Sequence, residues 1–282
     1  MHKGGIMQIK DKNNFEINIL IDTNAMNNLH LYLDICLKIG IEPDQDDFNK
    51  IKKIICDKLH VSEQEKVIQF TEVEKGYKLY NYLKKANQLD GNKRCKFFFS
   101  RLSQVELNHI LLEKKYHSDL ADCQVPYRIR KDNIFKRNTD YVNYLKDIYT
   151  TGVIQHNKEI NELITEKEID YLIFEDYFRN SMEDTLLVIT DVVNKYLHLQ
   201  SNDLLLYCLA IFGKINYIYS HDNEFKNLCN SLGTDGKCKE YREIIKEELN
   251  STGLEQFLED EDGNINVIFP EVIKGNISVL EE

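Results

Sequence analysis

The sequence predicts an α/β fold: a central, mostly parallel β-sheet flanked by helices, with further helices inserted between its units. Three observations point there. Short runs of β-branched and aromatic residues, EINILI (Glu16–Ile21), CKFFFS (Cys95–Ser100) and INYIYS (Ile215–Ser220), are too short for helices and have the composition of buried strands. Each run is followed by polar residues and then by apolar residues at helical spacing. Strands alternating with helices in this way form βαβ units, whose sheet is parallel and covered on both faces.

The first strand, Glu16–Ile21, gives way to Asp-Thr-Asn and a helix from Asn24 to Ile39 that ends near Gly40. A helix is expected after Pro43. Another opens at SEQE, where Ser62 and Glu65 fit a capping box, and continues to about Leu89. After the second strand, Cys95–Ser100, LSQVELNHILLEKK reads as a helix opened by Ser103. TGVIQHN suggests a third strand near Val153–Gln155, and helices are expected to start near Thr165 and Ser181. SNDLLLYCLAIF reads as a helix capped by Ser201 that leads through Gly213 into INYIYS, the fourth strand. HDNEFKNLC opens a short helix, an acidic helix follows, and NINVIFPE (Asn264–Glu271) offers a fifth strand.

The expected organisation is one domain over residues 1–282, with inserted helical regions at about 41–94 and 113–180 and an acidic C-terminal extension at 239–282 that carries the last strand. Sixteen Tyr and 13 Phe argue against extended disorder. The longest apolar stretch, Leu204–Phe212, is far shorter than the roughly 20 residues of a membrane helix. The N-terminus is polar and broken by charge, so no signal peptide is expected and the cytoplasm is favoured. Seven cysteines without a C-x-x-C pair read as reduced and mostly buried. A zinc site from Cys229, Cys238 and His221 is a weaker alternative, because structural zinc wants closely paired ligands.

Charge is unevenly placed. The chain carries −11, yet residues 84–137 carry +7, from 13 basic and 6 acidic side chains. Within that stretch Arg128, Arg130, Lys131, Lys136 and Arg137 alternate with Tyr127 and Phe135, the mixture that tracks a phosphate backbone and stacks bases. A solvated helix or loop face would read the same.

Four acids fall where the strands end and the helices begin, the edge at which open parallel sheets bind ligands. Asp22 ends the first strand, Glu106 and Asp203 lie in the first turns of two helices, and Asp222 ends the fourth strand. Each has a structural explanation, since acids cap helices and suit the macrodipole at about 0.3–1 kcal/mol. Capping does not explain why all four share one edge. Two carboxylates about 4 Å apart repel by about 4 kcal/mol at an effective dielectric of about 20, so a cation should compensate them. No Lys or Arg adjoins any of the four in sequence. Oxygen-only ligands suit Mg²⁺ or Mn²⁺, which meet substrate phosphates and activate water, so phosphodiester hydrolysis is the expected chemistry.

ILIDTNAM (Ile19–Met26), SQVELNHIL (Ser103–Leu111), SNDLLLYCLA (Ser201–Ala210) and YSHDNEF (Tyr219–Phe225) resemble, in order, the four motifs of PIN-domain ribonucleases. The closing INVIFPE is similar to that family's last strand. The resemblance implies a PIN-like domain in which Asp22, Glu106, Asp203 and Asp222 are the metal-binding catalytic acids. Asn24 would support the first Asp, Ser220 would orient the water or the metal shell, and Glu224 is a further acid. The intervals from Asp22 to Glu106 and from Glu106 to Asp203 are long for the family, whereas that from Asp203 to Asp222 is ordinary.

The expected function is a Mg²⁺- or Mn²⁺-dependent endoribonuclease with RNA as substrate and the basic segment as its RNA contact. An inactive PIN-like scaffold that binds RNA or protein is the alternative. A phosphohydrolase with Asp22 as covalent nucleophile is a third reading, disfavoured by Asn24 where that chemistry wants a second Asp. His109 and His221 read as structural or supporting, with His221 placed to touch substrate. An inhibitory protein partner, as in toxin–antitoxin pairs, and a homodimer stay open. No membrane partner is expected.

Overall fold

The computed structural model of the protein describes residues 15–44, 47–59, 70–86, 93–122, 124, 152–172, 182–233, 236–251 and 267–275. They fall into two compact units, one formed by the chain up to Ser100 and from Ile169 onward, the other by Arg101–Glu168.

Among the described residues the first unit holds five strands, β1 (Phe15–Ile21), β2 (Lys93–Ser100), β3 (Ile169–Leu172), β4 (Tyr217–Tyr219) and β5 (Glu271–Ile273). All pair in parallel, in the order β3-β2-β1-β4-β5. Its described helices are α1 (Thr23–Ile39), α2 (Phe48–Leu59), α3 (Phe70–Ala86), α6 (Met182–Tyr196), α7 (Ser201–Phe212), α8 (Asn223–Asn230) and α9 (Lys239–Asn250); α4 and α5 belong to the second unit. This is the predicted α/β class, consistent with a PIN-like fold.

Alternation along the central strands explains the two covered faces. Leu20, Phe98, Ile218 and Val272 lie in one row across the sheet and join the core formed with α6, α7, α8 and α9, including Ile189, Tyr207 and Leu209. The opposite face carries Phe97 and, one row further along, Tyr219, against which Tyr82 of α3 packs at ring distances of 6.1 and 5.3 Å. Beyond it, α1, α2 and α3 share a cluster of Tyr32, Cys36, Ile39, Ile51, Ile55 and Val73. Gly40 ends α1 in a left-handed conformation, φ 65°, and its N–H reaches the Cys36 and Leu37 carbonyls.

The second unit contains α4 (Arg101–Asp122) and α5 (Ile154–Glu166). Gln104 joins them, accepting from Arg101 at 2.8 Å and donating to Asn157 Oδ1 at 3.1 Å.

Several expectations are corrected. Val153–Gln155 is not a strand: Val153 precedes α5, whose buried His156, Ile160, Leu163 and Ile164 follow helical spacing and outweigh the β-branched pair that starts it. The third strand is instead Ile169–Leu172, inside the region read as helix from Thr165; its Phe97↔Ile169 and Phe99↔Tyr171 pairing shows tertiary contact deciding a short segment. The last strand begins at Glu271 rather than near Asn264, because the N–H-less Pro270 precedes the paired residues while Val267 and Phe269 fill core positions. The helix after β2 starts at Arg101, so Ser103 is inside it and Glu106 lies in the second turn. Ser201 is the first residue of α7, with Gln200 in the cap position. The Ser62–Glu65 capping box lies outside the described residues.

Six described cysteines are free, and Cys36, Cys56, Cys208 and Cys229 are buried. Burial pushes the Cys208 thiol up to about 12, and burial and then Asp203 push that of Cys229 up. At about pH 8 the Cys208 thiolate is then on the order of one part in ten thousand. Peptide-resolved iodoacetamide labelling of the native protein should modify the part-exposed Cys95 and Cys238 while sparing Cys208 and Cys229 until denaturant is added; equal labelling would contradict this burial.

Candidate active site at the carboxyl end of the sheet

The strand order fixes where a ligand would bind. From the central β1 the chain builds outward through β2 and β3, then returns to the other side of β1 for β4 and β5. The crevice at such a reversal, beyond the carboxyl ends of the strands, is where parallel α/β sheets take ligands. Here it lies after β1 and β4, which lead into Asp22 and into Ser220–Asp222.

Asp22 occupies the cap position of α1 with extended backbone angles of −68° and 152°, yet its side chain makes no capping hydrogen bond. Its N–H donates to the Tyr219 carbonyl at 3.1 Å, which ties the ends of β1 and β4 together. The side chain is nearly enclosed, with the residue 7% exposed, and its Oδ2 accepts from the Ser220 hydroxyl at 2.9 Å. Ser220 is fully buried; its N–H donates to the Ile273 carbonyl at 3.1 Å, and its oxygen accepts from the Asp222 N–H at 3.1 Å. With its oxygen receiving the Asp222 amide, the hydroxyl proton is directed to Asp22. Asp22, Ser220 and Asp222 are thus one hydrogen-bonded chain.

Asp222 is exposed and does cap α8, but both amides it accepts, Glu224 N–H at 2.7 Å and Phe225 N–H at 3.0 Å, go to Oδ1. Oδ2 lies outside the cap. Asp203 is half-buried in the first turn of α7, close enough to Cys229 of α8 for its charge to disfavour the thiolate. The three aspartates do not bring three ligand oxygens within 4.8 Å of one another. They line an edge, an arrangement suited to a cation that keeps much of its water and takes one or two carboxylates.

The remaining predicted residues are placed as follows. Glu106 is half-buried on α4, in the second unit. Asn24 is exposed on α1, and no side-chain hydrogen bond joins it to Asp22 among the described residues. Glu224 is exposed in the first turn of α8, and its backbone amide serves the Asp222 cap. Arg128, Arg130, Lys131, Lys136 and Arg137 lie outside the described residues. Cys229, Cys238 and His221 do not gather as a group of metal-ligand atoms.

Sequence reasoning passed over the polar lining of α1. Thr23, Asn27 and Asn28 are buried in its first turns, where a core-facing helix would carry apolar side chains. The signal was present in DTNAMNNL, which places amides at the spacing of the buried face. His221 was noticed but not its setting: its ring meets Tyr219 edge-on at 5.3 Å, and its pKa falls to about 4, first through burial and then through Lys75, with Lys274 and Lys78 adding to it against a hydrogen bond to the Lys75 backbone. His221 is therefore neutral at pH 7.

The three carboxylates and the hydroxyl at this edge are oxygen donors, the kind that a hard divalent cation takes. A scan against protein-family models finds no match, and neither do searches of curated proteins and of solved structures.

Proposed function

We propose that the protein is a divalent-metal-dependent endoribonuclease of PIN type that hydrolyses RNA phosphodiesters at the edge carrying Asp22, Asp203 and Asp222. The observation that carries the reading is Asp22. It is a nearly enclosed carboxylate at the sheet's reversal point, in a cap position that it does not use for capping, with its Oδ2 held by Ser220. An enclosed carboxylate at the carboxyl edge of a parallel sheet stands where such sheets bind ligands. A structural acid in this position would be expected to cap α1.

In this reading Asp22 and Asp203 hold the cation, and Mg²⁺ or Mn²⁺, when bound, would supply positive charge to the phosphate and lower the pKa of water. Ser220 fixes the orientation of Asp22. Asp222 keeps Oδ2 free of the helix cap and accepts a hydrogen bond from the attacking water. The water oxygen bonds to phosphorus as its proton passes to solvent, the bond to the leaving ribose oxygen breaks, and that oxygen takes up a proton from solvent. His221, neutral at pH 7 and beside Asp222, adds no charge there.

No helix among the described residues is long and apolar enough to cross a membrane. Free cysteines suit the cytoplasm, where we place the activity.

Cleavage of a mixed RNA pool is expected in Mg²⁺ or Mn²⁺, is expected to be lost in EDTA, and should not return with Ca²⁺, whose looser coordination holds water less well for in-line attack. Cleavage that survives EDTA, above all one leaving a cyclic phosphate, would overturn the reading. Metal-independent binding of RNA without any cleavage would favour the scaffold alternative.

A further inference from the structure

We propose that Asn230, the last residue of α8, is a positioning residue for Ser220: its side-chain amide holds β5 in the place from which Ile273 fixes the Ser220 backbone. Its importance for cleavage rests on the nuclease reading; the anchoring of Ser220 does not.

β5 has three residues, Glu271–Ile273, and is the outermost strand on its side of the sheet among the described residues. The Glu271 N–H donates to the Asn216 carbonyl at 3.1 Å, and the Ile273 carbonyl accepts from the Ser220 N–H at 3.1 Å, so both residues turn backbone groups toward β4. By the alternation of a strand, the N–H and carbonyl of Val272 between them point away from β4. Asn230 takes both. Its Oδ1 accepts from the Val272 N–H at 2.7 Å, and its Nδ2 donates to the Val272 carbonyl at 3.2 Å. One carboxamide thus stands where a neighbouring strand would supply a donor and an acceptor. An aspartate could meet the N–H but would repel the carbonyl.

The helix end that carries this amide is itself fixed. The Gly233 N–H donates to the Asn230 carbonyl at 3.1 Å, and the Ser231 hydroxyl donates to the Leu228 carbonyl at 2.6 Å. Phe225 and Cys229, one turn apart on α8, are buried in the same core as Val272. Asn223, seven residues before Asn230 and so on the same helix face, accepts from the Lys274 ammonium. Side chains therefore join α8 to the β5 segment at both ends of the helix.

Closing a sheet edge would by itself be a structural role. The residue after Val272 makes it more. Ile273 holds the Ser220 N–H, and the Ser220 hydroxyl donates to Asp22 Oδ2 at 2.9 Å while accepting the Asp222 N–H at 3.1 Å. A displacement of β5 is thus passed to the one side chain that joins two of the acids. Asn230 acts through that chain of hydrogen bonds, in the way that outer partners of metal ligands set their orientation.

The test compares the full chain with Asn230→Ala, Asn230→Asp and Tyr196→Phe. Asn230→Ala removes both bonds to Val272, and Asn230→Asp keeps the one from its N–H. Tyr196→Phe removes a hydrogen bond to Glu248 between α6 and α9 and controls for a general loss of stability. Amide hydrogen exchange is read without metal, by mass spectrometry on peptides spanning Ser220–Asp222, and kcat and KM for RNA are read in Mn²⁺. Exchange there should rise about 10-fold in Asn230→Ala, rise less in Asn230→Asp, and stay at the wild-type rate in Tyr196→Phe. The kcat should fall about 10-fold in Asn230→Ala and less in Asn230→Asp, with KM unchanged. If Asn230→Ala does not fold, Asn230→Asp carries the same comparisons. Unchanged exchange in the Asn230 variants, or an equal rise in Tyr196→Phe, would overturn the anchoring of Ser220. Faster exchange with a wild-type kcat would overturn the positioning role. Faster exchange with no cleavage by the wild type would overturn the nuclease reading and leave the anchoring standing, whereas cleavage with unchanged exchange would do the reverse.

Discussion

Asp22→Asn and Asp203→Asn should each lower RNA cleavage by at least about 100-fold. Losing even an outer partner of a metal ligand costs about 10- to 100-fold, and these substitutions remove a proposed ligand itself. The fold should survive both. Asn matches Asp in size, its Oδ1 can still accept the Ser220 hydroxyl proton, and no helix cap is lost at position 22 because the carboxylate does not serve as one. Melting temperature in EDTA should therefore stay the same or rise slightly, since a nearly enclosed charge is neutralised. Asp222 allows the two roles to be separated. Asp222→Asn keeps a good cap for α8 and should lose activity alone, whereas Asp222→Ala should lose activity and also about 1 kcal/mol of stability from the cap. Wild-type cleavage rates in both Asp22→Asn and Asp203→Asn would remove the site assignment. A large drop in stability at Asp22 would return that residue to a purely structural role.

How much of this was legible in the sequence depended on how many restraints each segment carries locally. The carboxyl halves of β1 and β2, Ile19–Ile21 and Phe97–Phe99, are buried whichever face they point to, so they read as continuous apolar runs, and β1 is followed at once by Asp22 and α1. The outer strands β3 and β5 are only four and three residues long, and they owe their state to pairing with β2 and β4. No periodicity fits into so few residues, which is why Ile169–Leu172 reads as helix and the strand after Pro270 reads too early. Helix starts fail for a related reason. Arg101 enters α4 directly from Ser100, so the Ser-x-x-Glu signature sits one turn inside the helix that it seems to open.

The site divides in the same way. Asp22, Ser220 and Asp222 were visible because each lies where a strand ends, and topology carries strand ends to one edge. The hydrogen bonds that join them, and the use of only one Asp222 oxygen in the cap, are not readable from spacing.

Gly76→Ala should destabilise the protein, with a net loss of about 2 kcal/mol, within the usual range of about 1–3 kcal/mol for overpacking. A Cβ at this position would lie 2.0 Å from the Asn28 carbonyl oxygen, 2.6 Å from its carbon and 2.8 Å from Tyr32 Cβ. Two of those atoms are backbone of α1, so no rotamer change can relieve the contact and α3 must withdraw. Helix propensity acts in the opposite direction, since Ala in a helix interior is favoured over Gly by about 1 kcal/mol, and it offsets only part of that cost. Gly40→Ala is the useful contrast: its Cβ would meet nothing within 4 Å, and its penalty comes only from φ 65°. In denaturant titrations Gly76→Ala should lower the midpoint with little change in slope, the mark of lost stability without a changed unfolded state. A midpoint equal to the wild type would mean that α1 and α3 tolerate a methyl group between them, and that their close approach at Gly76 does not constrain the fold.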